Sequence, residues 1–171
     1  MRWMWIDRVV ELQPRQRLVS IKHISLAEEH MHEHFAATEA RSSLPVMPGS
    51  LIVEGVAQSG GILIGHALAF EQKIVLAKVT RVDLDHDATA GDTLRYTITI
   101  DQFGPQGAST KGVVDLLEVW SGKSRTIGHI DLMFSVLENN MAGIEFPEGN
   151  FVFGEAFKTL MRNSGVLIPG E

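Results

Sequence analysis

The chain of 171 residues contains no cysteine, and this absence excludes disulfide bonds, thiolate metal sites and a cysteine nucleophile. It is compatible with a reducing compartment. A basic surplus is also missing. The net charge of −6 argues against nucleic acid as the main partner, because phosphate binding usually needs excess Lys and Arg. There are no internal repeats or low-complexity segments, and the length fits one globular unit with a core.

Neither a signal peptide nor a membrane span is predicted. The first residues carry charges at Asp7 and Glu11 before any apolar h-region develops, so we expect a cytoplasmic protein. Residues 50–70 approach the length of a bilayer span, but Glu54 and Gln58 would be expensive in lipid. We therefore interpret this segment as a buried helix of a soluble protein with no membrane partner.

The sequence predicts two strands, one long helix and then four more strands. The helix is expected at residues 50–70, after a polar and irregular segment at 25–44. Runs rich in Val, Ile, Thr and Leu predict the strands at 3–12, 17–24, 74–84, 93–103, 109–120 and 124–137. Short turns separate the last four strands and indicate an antiparallel meander.

The helix is apolar nearly all round, which is typical of a helix enclosed by other elements. One helix and about six strands predict an α+β fold, in which a curved antiparallel sheet of five to six strands wraps around one long central helix. Four glycines in the helix each cost about 1 kcal/mol relative to alanine. Close approach of the sheet would explain them, since a sheet comes near a helix only where side chains are absent. They are Gly55, Gly60, Gly61 and Gly65.

Two parts of the chain are distinguished. Residues 1–138 are expected to form the domain. Residues 139–171 are expected to form a C-terminal tail with a short helix at 154–163, packed on the domain or on a neighbouring subunit.

Residues 34–58, HFAATEARSSLPVMPGSLIVEGVAQ, concentrate the chemistry. Glu54 is a lone acid on an apolar helix, which is costly to bury unless it is paired or neutral. The imidazole of His34 would give it a partner and create an acid–base pair. The blander alternatives are that His34 is an ordinary loop histidine, that Glu54 pairs with a structural cation and that Gln58 only packs.

Three histidines alternate in this region, at His30, His32 and His34. On a strand they would share one face and suggest a zinc site. In a polar loop they would diverge. We favour the loop and predict no metal.

Several motifs together resemble the 3-hydroxyacyl-acyl-carrier-protein dehydratases of the hotdog fold, nearer to the Z-type than to the A-type. The resemblance covers residues 3–137. It is carried by Ile6-Asp7-Arg8-Val9, His34-Phe35, Pro45-Val46-Met47-Pro48-Gly49, Leu51, Glu54, Ala57-Gln58, Ala90-Gly91-Asp92 and Lys111-Gly112-Val113.

The resemblance implies a homodimer, often a trimer of dimers, with active sites at the dimer interface. His34 of one subunit would face Glu54 of the other, Gly49 would present its N–H to the thioester carbonyl, and Gln58 would hold Glu54. The implied substrate is carried on the phosphopantetheine of an acyl carrier protein, and no cofactor or metal is needed. The implied substrate tunnel is lined by Phe35, Val46, Met47 and Pro48.

The chain departs from the family near the histidine. The step from His34 to Pro45 is longer, Ala36 replaces a proline and Glu33 replaces a glycine. The insertion at residues 37–44 either forms an extra turn over the entrance or displaces His34.

The implied reaction is dehydration of 3-hydroxyacyl thioesters in fatty-acid or related lipid biosynthesis. A hotdog thioesterase, in which Glu54 activates water, is one alternative, and a catalytically silent acyl-binding subunit is another. Docking of an acidic carrier would need basic residues near the tunnel mouth. The candidates are Arg41, Lys73, Lys78 and Arg81.

Overall fold

The computed structural model describes residues 3–32, 34, 36–137, 153–166 and 168. The predicted combination of strands with one long helix is confirmed. In chain order the elements are β1 (Arg8–Gln13), β2 (Arg17–His23), α1 (Glu29–His32), α2 (Gly49–Ala67), β3 (Lys73–Leu84), β4 (Asp92–Gly104), β5 (Gly107–Glu118), β6 (Lys123–Leu137) and α3 (Glu155–Asn163).

The strands form one antiparallel sheet in the order β1-β2-β4-β5-β6-β3. Strands β4, β5 and β6 follow one another as the predicted meander. The prediction is wrong for β3, which pairs with β6 from Lys73↔Leu137 to Leu84↔Gly128. The reason is that β4 is already paired on both sides, with β2 and with β5. The connection from β3 to β4 therefore crosses from one sheet edge to the middle.

Helix α2 packs on one face of the sheet, and two glycines set how closely it lies. A β-carbon on Gly55 would lie 2.7 Å from the ring of Tyr96, and one on Gly60 would lie 2.8 Å from Phe134. Both distances are shorter than a van der Waals contact. Gly61 does not fit the prediction, because a β-carbon there would meet nothing within 4 Å. None of the described helices, α2 included, combines the length and apolar character that a bilayer crossing requires.

Helix α2 ends at Ala67, before the predicted end at residue 70. Ala69 and Phe70 have φ of 52° and 56°, a left-handed conformation that a right-handed helix cannot use. The N–H of Phe70 donates to the carbonyl of Gly65 at 2.7 Å. The Phe70 ring meets the ring of Phe153 edge-on, with centroids 4.9 Å apart. This turn therefore joins the end of α2 to the C-terminal segment.

Helix α3 lies along the β1 edge of the sheet. The hydroxyl of Ser164, just after the helix, accepts a hydrogen bond from the N–H of Val9 at 3.0 Å and donates to the carbonyl of Leu160 at 2.7 Å. Leu160 and Met161 are buried. The C-terminal segment therefore covers this edge. Residues 139–152 of the predicted tail lie outside the described residues, and the division into domain and tail stays a prediction.

Tyr96, the single tyrosine of the chain, is fully buried beneath α2. Its hydroxyl has no hydrogen-bond partner among the described residues. Burial, with smaller contributions from the carboxylates of Asp7 and Glu28, raises the pKa of Tyr96 above its ordinary value. The phenol therefore keeps its proton in the folded protein under conditions where an unfolded chain would lose it.

We predict that the protein becomes less stable above about pH 10, because Tyr96 loses its proton in the unfolded chain and keeps it in the folded chain. The contribution is complete below that pH and then falls by about 1.4 kcal/mol per pH unit until the folded phenol ionises. Urea unfolding across this range, compared with Tyr96→Phe, isolates the effect. Tyrosinate absorbance that rises while the fold is intact would contradict the prediction.

Candidate active site

The segment that leads into α2 is anchored to the connection between β3 and β4. The N–H of Met47 donates to the carbonyl of Ala88 at 2.8 Å, and Val46 forms an isolated bridge to the next residue of that connection. Met47 is buried, whereas Pro48, the N-cap residue of α2, is exposed. These contacts deliver Gly49 to a fixed position at the start of the helix.

Gly49 opens α2 with an exposed backbone. Neither its N–H nor that of Ser50 meets an acceptor in the part of the chain that the structure describes, and no side chain caps the helix. Such amides carry the partial positive charge of a helix N-terminus. A β-carbon on Gly49 would lie 3.2 Å from Cδ1 of Leu84, so glycine also makes room for the end of β3.

These amides adjoin a cavity of roughly 390 Å³. Met47, Gly49 and Ile52 form one part of its wall. The end of β3 and the residues after it form another part, with the polar side chains of Asp85, His86 and Asp87. The cavity could therefore present backbone donors, an imidazole and two carboxylates to a bound molecule.

Glu54 and Gln58 lie one turn apart on α2. The amide nitrogen of Gln58 donates to Oε1 of Glu54 at 3.0 Å and to the carbonyl of Trp3 at 2.9 Å. Its oxygen accepts from the N–H of Trp5 at 2.9 Å. Gln58 is buried, and these three bonds fix its amide. Glu54 is only half-buried, and its second oxygen accepts no hydrogen bond from the described residues. That oxygen is available to a ligand or to a neighbouring chain.

His34 is held through both ring nitrogens. Nδ1 lies 2.7 Å from the carbonyl oxygen of Met31, and Nε2 lies 2.6 Å from the hydroxyl oxygen of Ser43. A carbonyl can only accept, so Nδ1 carries the proton in this bond. In the neutral ring Nε2 is then the basic atom, and Ser43 donates to it. The Ser43 hydroxyl thus occupies the single lone pair of Nε2, and the ring can act as a base there only when another group replaces this hydroxyl.

The N-terminal residues connect the surroundings of Glu54 with those of His34. The N–H of Trp5 donates to the side chain of Gln58. The indole of Trp5 packs edge-on against the ring of His30, with centroids 5.0 Å apart. Lys22 is buried and pairs with Asp7 at 3.2 Å and with Glu28, just before α1. The charged amine is therefore compensated from both sides, and α1 is tied to the start of β1.

Within one protomer the structure brings some predicted site residues together and leaves others apart. Gln58 contacts Glu54, as the resemblance implies, and Val46, Met47 and Pro48 run directly into Gly49. No hydrogen bond or ion pair between described residues joins His34 to Glu54. Phe35 lies outside the described residues.

Two residues near the site have no signal in the sequence. His86 lies in the wall of the Gly49 cavity only because the connection after β3 crosses the start of α2. Ser43 contacts His34 only because the insertion folds back on itself. Neither spacing belongs to a periodic pattern, so the contact depends on the tertiary path of the chain.

Among the described residues, the alternating histidines do not form a metal site, and the basic candidates do not form one clear docking patch. His30 and His32 lie in α1, so the three alternating histidines do not share a strand face. The described residues contain no group of three or more His, Cys, Asp or Glu side chains arranged to hold a metal. Lys73, Lys78 and Arg81 lie on β3, where Arg81 pairs with Asp83 at 2.5 Å.

Sequence comparison finds relatives among curated dehydratases. The chain is 35% identical over 102 residues to 3-hydroxyacyl-(acyl-carrier-protein) dehydratase FabZ of Helicobacter pylori strain P12, an alignment that covers 56% of this chain and 60% of that protein. It is 32% identical over 113 residues to the FabZ of Ruminiclostridium cellulolyticum, covering 64% and 75% of the two chains. The chain thus spans about three fifths of the length of the first of these relatives.

Solved structures share the fold at low sequence identity. A thioesterase family protein from Silicibacter pomeroyi superposes with a TM-score of 0.60 at 12% identity, covering 76% of this chain and 83% of that one. The dehydratase heterocomplex ApeI:P from Xenorhabdus doucetiae gives a TM-score of 0.57 at 13% identity, covering 80% and 84%. At such identity the similarity shows the hotdog fold alone.

The family model for the FabA-like domain matches residues 2–124 of this chain. The matched residues include β1 to β5, the whole of α2 and the Met47-Pro48-Gly49 turn. This match extends over most of the chain and agrees with the sheet-and-helix architecture. The chain therefore belongs to the FabA-like family of hotdog proteins and is a distant relative of the FabZ dehydratases.

Proposed function

We propose that the protein dehydrates 3-hydroxyacyl thioesters carried on acyl carrier protein to trans-2-enoyl thioesters, in fatty-acid or related lipid biosynthesis. The observation that carries the proposal is the fixed Glu54, held by Gln58 on the same helix whose first amides, at Gly49, have no acceptor in the described chain. Catalytic acid and charge-stabilising donors thus share one rigid element.

The reaction removes a proton from C2 and the hydroxyl group from C3, forming the C2=C3 double bond and water. Negative charge develops on the thioester oxygen as C2–H breaks, and the N–H groups at the start of α2 stabilise it. Nε2 of His34 takes the C2 proton after the substrate displaces the Ser43 hydroxyl from this nitrogen. Hydroxide is a poor leaving group, so Glu54 in its acid form gives its proton to the departing oxygen.

Two copies of the chain build each site in this proposal. His34 and Glu54 do not pair within one protomer, and β3 supports pairing between protomers. This strand is hydrogen-bonded to β6 on one side and, among the described strands, to none on the other. Its exposed apolar side chains suit a second copy of the same strand, because an open edge is a template for pairing. They are Leu76, Val79 and Val82.

We predict that the purified protein hydrates a crotonyl thioester, measured as loss of enoyl absorbance. Glu54→Gln and His34→Ala should each lower kcat/KM by about 10²- to 10⁴-fold, because each removes one proton-transfer group. Glu71→Gln and His129→Ala are matched controls at exposed positions. Release of free thiol would instead identify a thioesterase. Absence of any reaction with carrier-linked and CoA-linked substrates would favour a silent acyl-binding subunit.

We predict complementation between the two inactive variants. A heterodimer of Glu54→Gln and His34→Ala contains one site with both native residues, so random exchange of equal amounts should restore about a quarter of the native rate. The two variants carry different tags, so that heterodimers can be purified and verified. If verified heterodimers stay inactive, the site does not draw on both protomers.

We predict that Val79→Lys on β3 lowers both the dimer fraction and the activity, because a charge at the paired edge opposes burial. Sedimentation at several protein concentrations measures the assembly. Val119→Lys is the control, since Val119 is exposed on the turn after β5, away from this edge. A Val79→Lys protein that stays dimeric would place the interface elsewhere.

A further inference from the structure

The insertion at residues 37–44 ends in a contact with His34. Thr38 and Arg41 exchange backbone hydrogen bonds, with N···O distances of 2.9 and 3.3 Å, so the chain turns back on itself. The hydroxyl oxygen of Ser43 then lies 2.6 Å from Nε2 of His34. The additional length of the chain therefore returns a hydrogen-bond donor to the atom of the ring that would accept a proton.

Both ring nitrogens of His34 are occupied in this arrangement. Nδ1 donates to the carbonyl of Met31 at 2.7 Å. Nε2 has a single lone pair in the plane of the ring, and this lone pair accepts the hydrogen bond from Ser43. A proton that arrives from a substrate needs the same lone pair. The structure therefore shows the base in a resting arrangement, in which it cannot take a proton until the hydroxyl leaves.

The insertion makes few backbone contacts, whereas the chain is anchored on both sides of it. Residues 37–44 are all exposed, and among the described residues their backbone hydrogen bonds stay within residues 38–46. Before the insertion Met31 is completely buried. After it, Met47 is buried and its N–H donates to the carbonyl of Ala88 at 2.8 Å. Exposed segments of this kind open at a low free-energy cost, so Ser43 can leave the ring while both anchors stay in place.

We propose that residues 37–44 form an autoinhibitory latch, in which Ser43 covers Nε2 of His34 until a substrate displaces it. No covalent bond changes when the latch opens, because one hydrogen bond breaks and the released hydroxyl bonds to water. The identity of the displacing molecule, a 3-hydroxyacyl thioester, rests on the proposed function, whereas the covering of Nε2 does not. The longer step from His34 to Pro45 thus restrains the base.

The size of the effect follows from the hydrogen bond that must open. A bond between two protein groups, measured against the same groups bonded to water, changes an equilibrium by about 2- to 10-fold. Opening precedes proton transfer, so its cost lowers kcat/KM and also the rate of any other reaction at Nε2. Removal of the Ser43 hydroxyl should therefore accelerate such reactions by about the same factor.

A chemical test reads the latch without any substrate. Diethyl pyrocarbonate acylates the free lone pair of a neutral imidazole, so its rate at His34 in the full-length protein, followed by mass spectrometry at pH 7, reports how often Nε2 is uncovered. We expect this rate to be about 2- to 10-fold higher in Ser43→Ala, with the exposed His129 as internal reference. Ser43→Thr, which keeps the hydroxyl, and Ser42→Ala, at a neighbouring exposed position, should retain the native rate. Equal rates in the native protein and Ser43→Ala would overturn the inference.

Kinetics test the latch within the proposed reaction. We expect Ser43→Ala to raise kcat/KM for hydration of a crotonyl thioester by about 2- to 10-fold, with no gain in Ser43→Thr or Ser42→Ala. The gain should vanish when His34→Ala is added, because the latch acts through this ring. A fall in kcat/KM in Ser43→Ala would show that the hydroxyl assists the base and would refute the latch. If all variants are inactive while acylation of His34 still accelerates in Ser43→Ala, the proposed dehydration fails and the covering of Nε2 is supported.

Discussion

The close contact between α2 and the sheet is the constraint on which the rest of the structure depends. Gly55 lies against the ring of Tyr96 and Gly60 against Phe134, at distances that leave no space for a β-carbon. These contacts fix the position of the helix along and across the sheet. Because Gly49 and Glu54 are both on α2, the same contacts fix the free amides and the carboxyl group relative to each other. The hydroxyl of Tyr96, which lies at this contact, has no hydrogen-bond partner in the described chain.

The start of the chain then orients the functional groups on this helix. Gln58 is satisfied by Trp3, Trp5 and Glu54, so its amide cannot rotate without losing several hydrogen bonds. An amide buried in this way is costly to leave unpaired, which makes the interaction specific as well as favourable. Lys22 holds α1 in a similar way, because its buried amine pairs with Asp7, just before β1, and with Glu28, just before α1. Residues before β1 and at the end of β2 thereby support both halves of the proposed acid–base pair.

Much of the fold was predictable because its signals are local. Strand composition gives five of the six strands to within two residues, whereas β1 begins at Arg8, five residues after the predicted start. The uniformly apolar helix with its glycines indicates an enclosed helix. The pairing of β3 with β6 was not predictable from turn lengths, since the choice depends on which edges other strands have already occupied. The end of α2 is followed by two residues with positive φ, Ala69 and Phe70, and the ring of Phe70 packs against Phe153, which is distant in the sequence.

The site shows the same division between local and tertiary information. Spacing on a helix predicted the contact of Gln58 with Glu54, because residues four apart are neighbours on a helix surface. The sequence contained no comparable rule for Ser43 or His86, which approach the site through loops. The position of His34 relative to Glu54 of another protomer remains a prediction. This position depends on how two chains meet, whereas local sequence patterns describe the structure of a single chain.

The two edge strands of the sheet, β1 and β3, are covered to different extents by the rest of the described chain. This difference bears on how the proposed sites are built. At β1 the N–H of Val9 is bonded to Ser164, and α3 buries Leu160 and Met161 behind it. At β3 the described chain supplies no such cover, and apolar side chains are exposed along a strand of twelve residues. An open apolar edge is unfavourable for an isolated chain and favourable for pairing. Because the strand leads directly into the wall of the Gly49 cavity, whatever pairs with β3 lies beside the helix that carries Glu54.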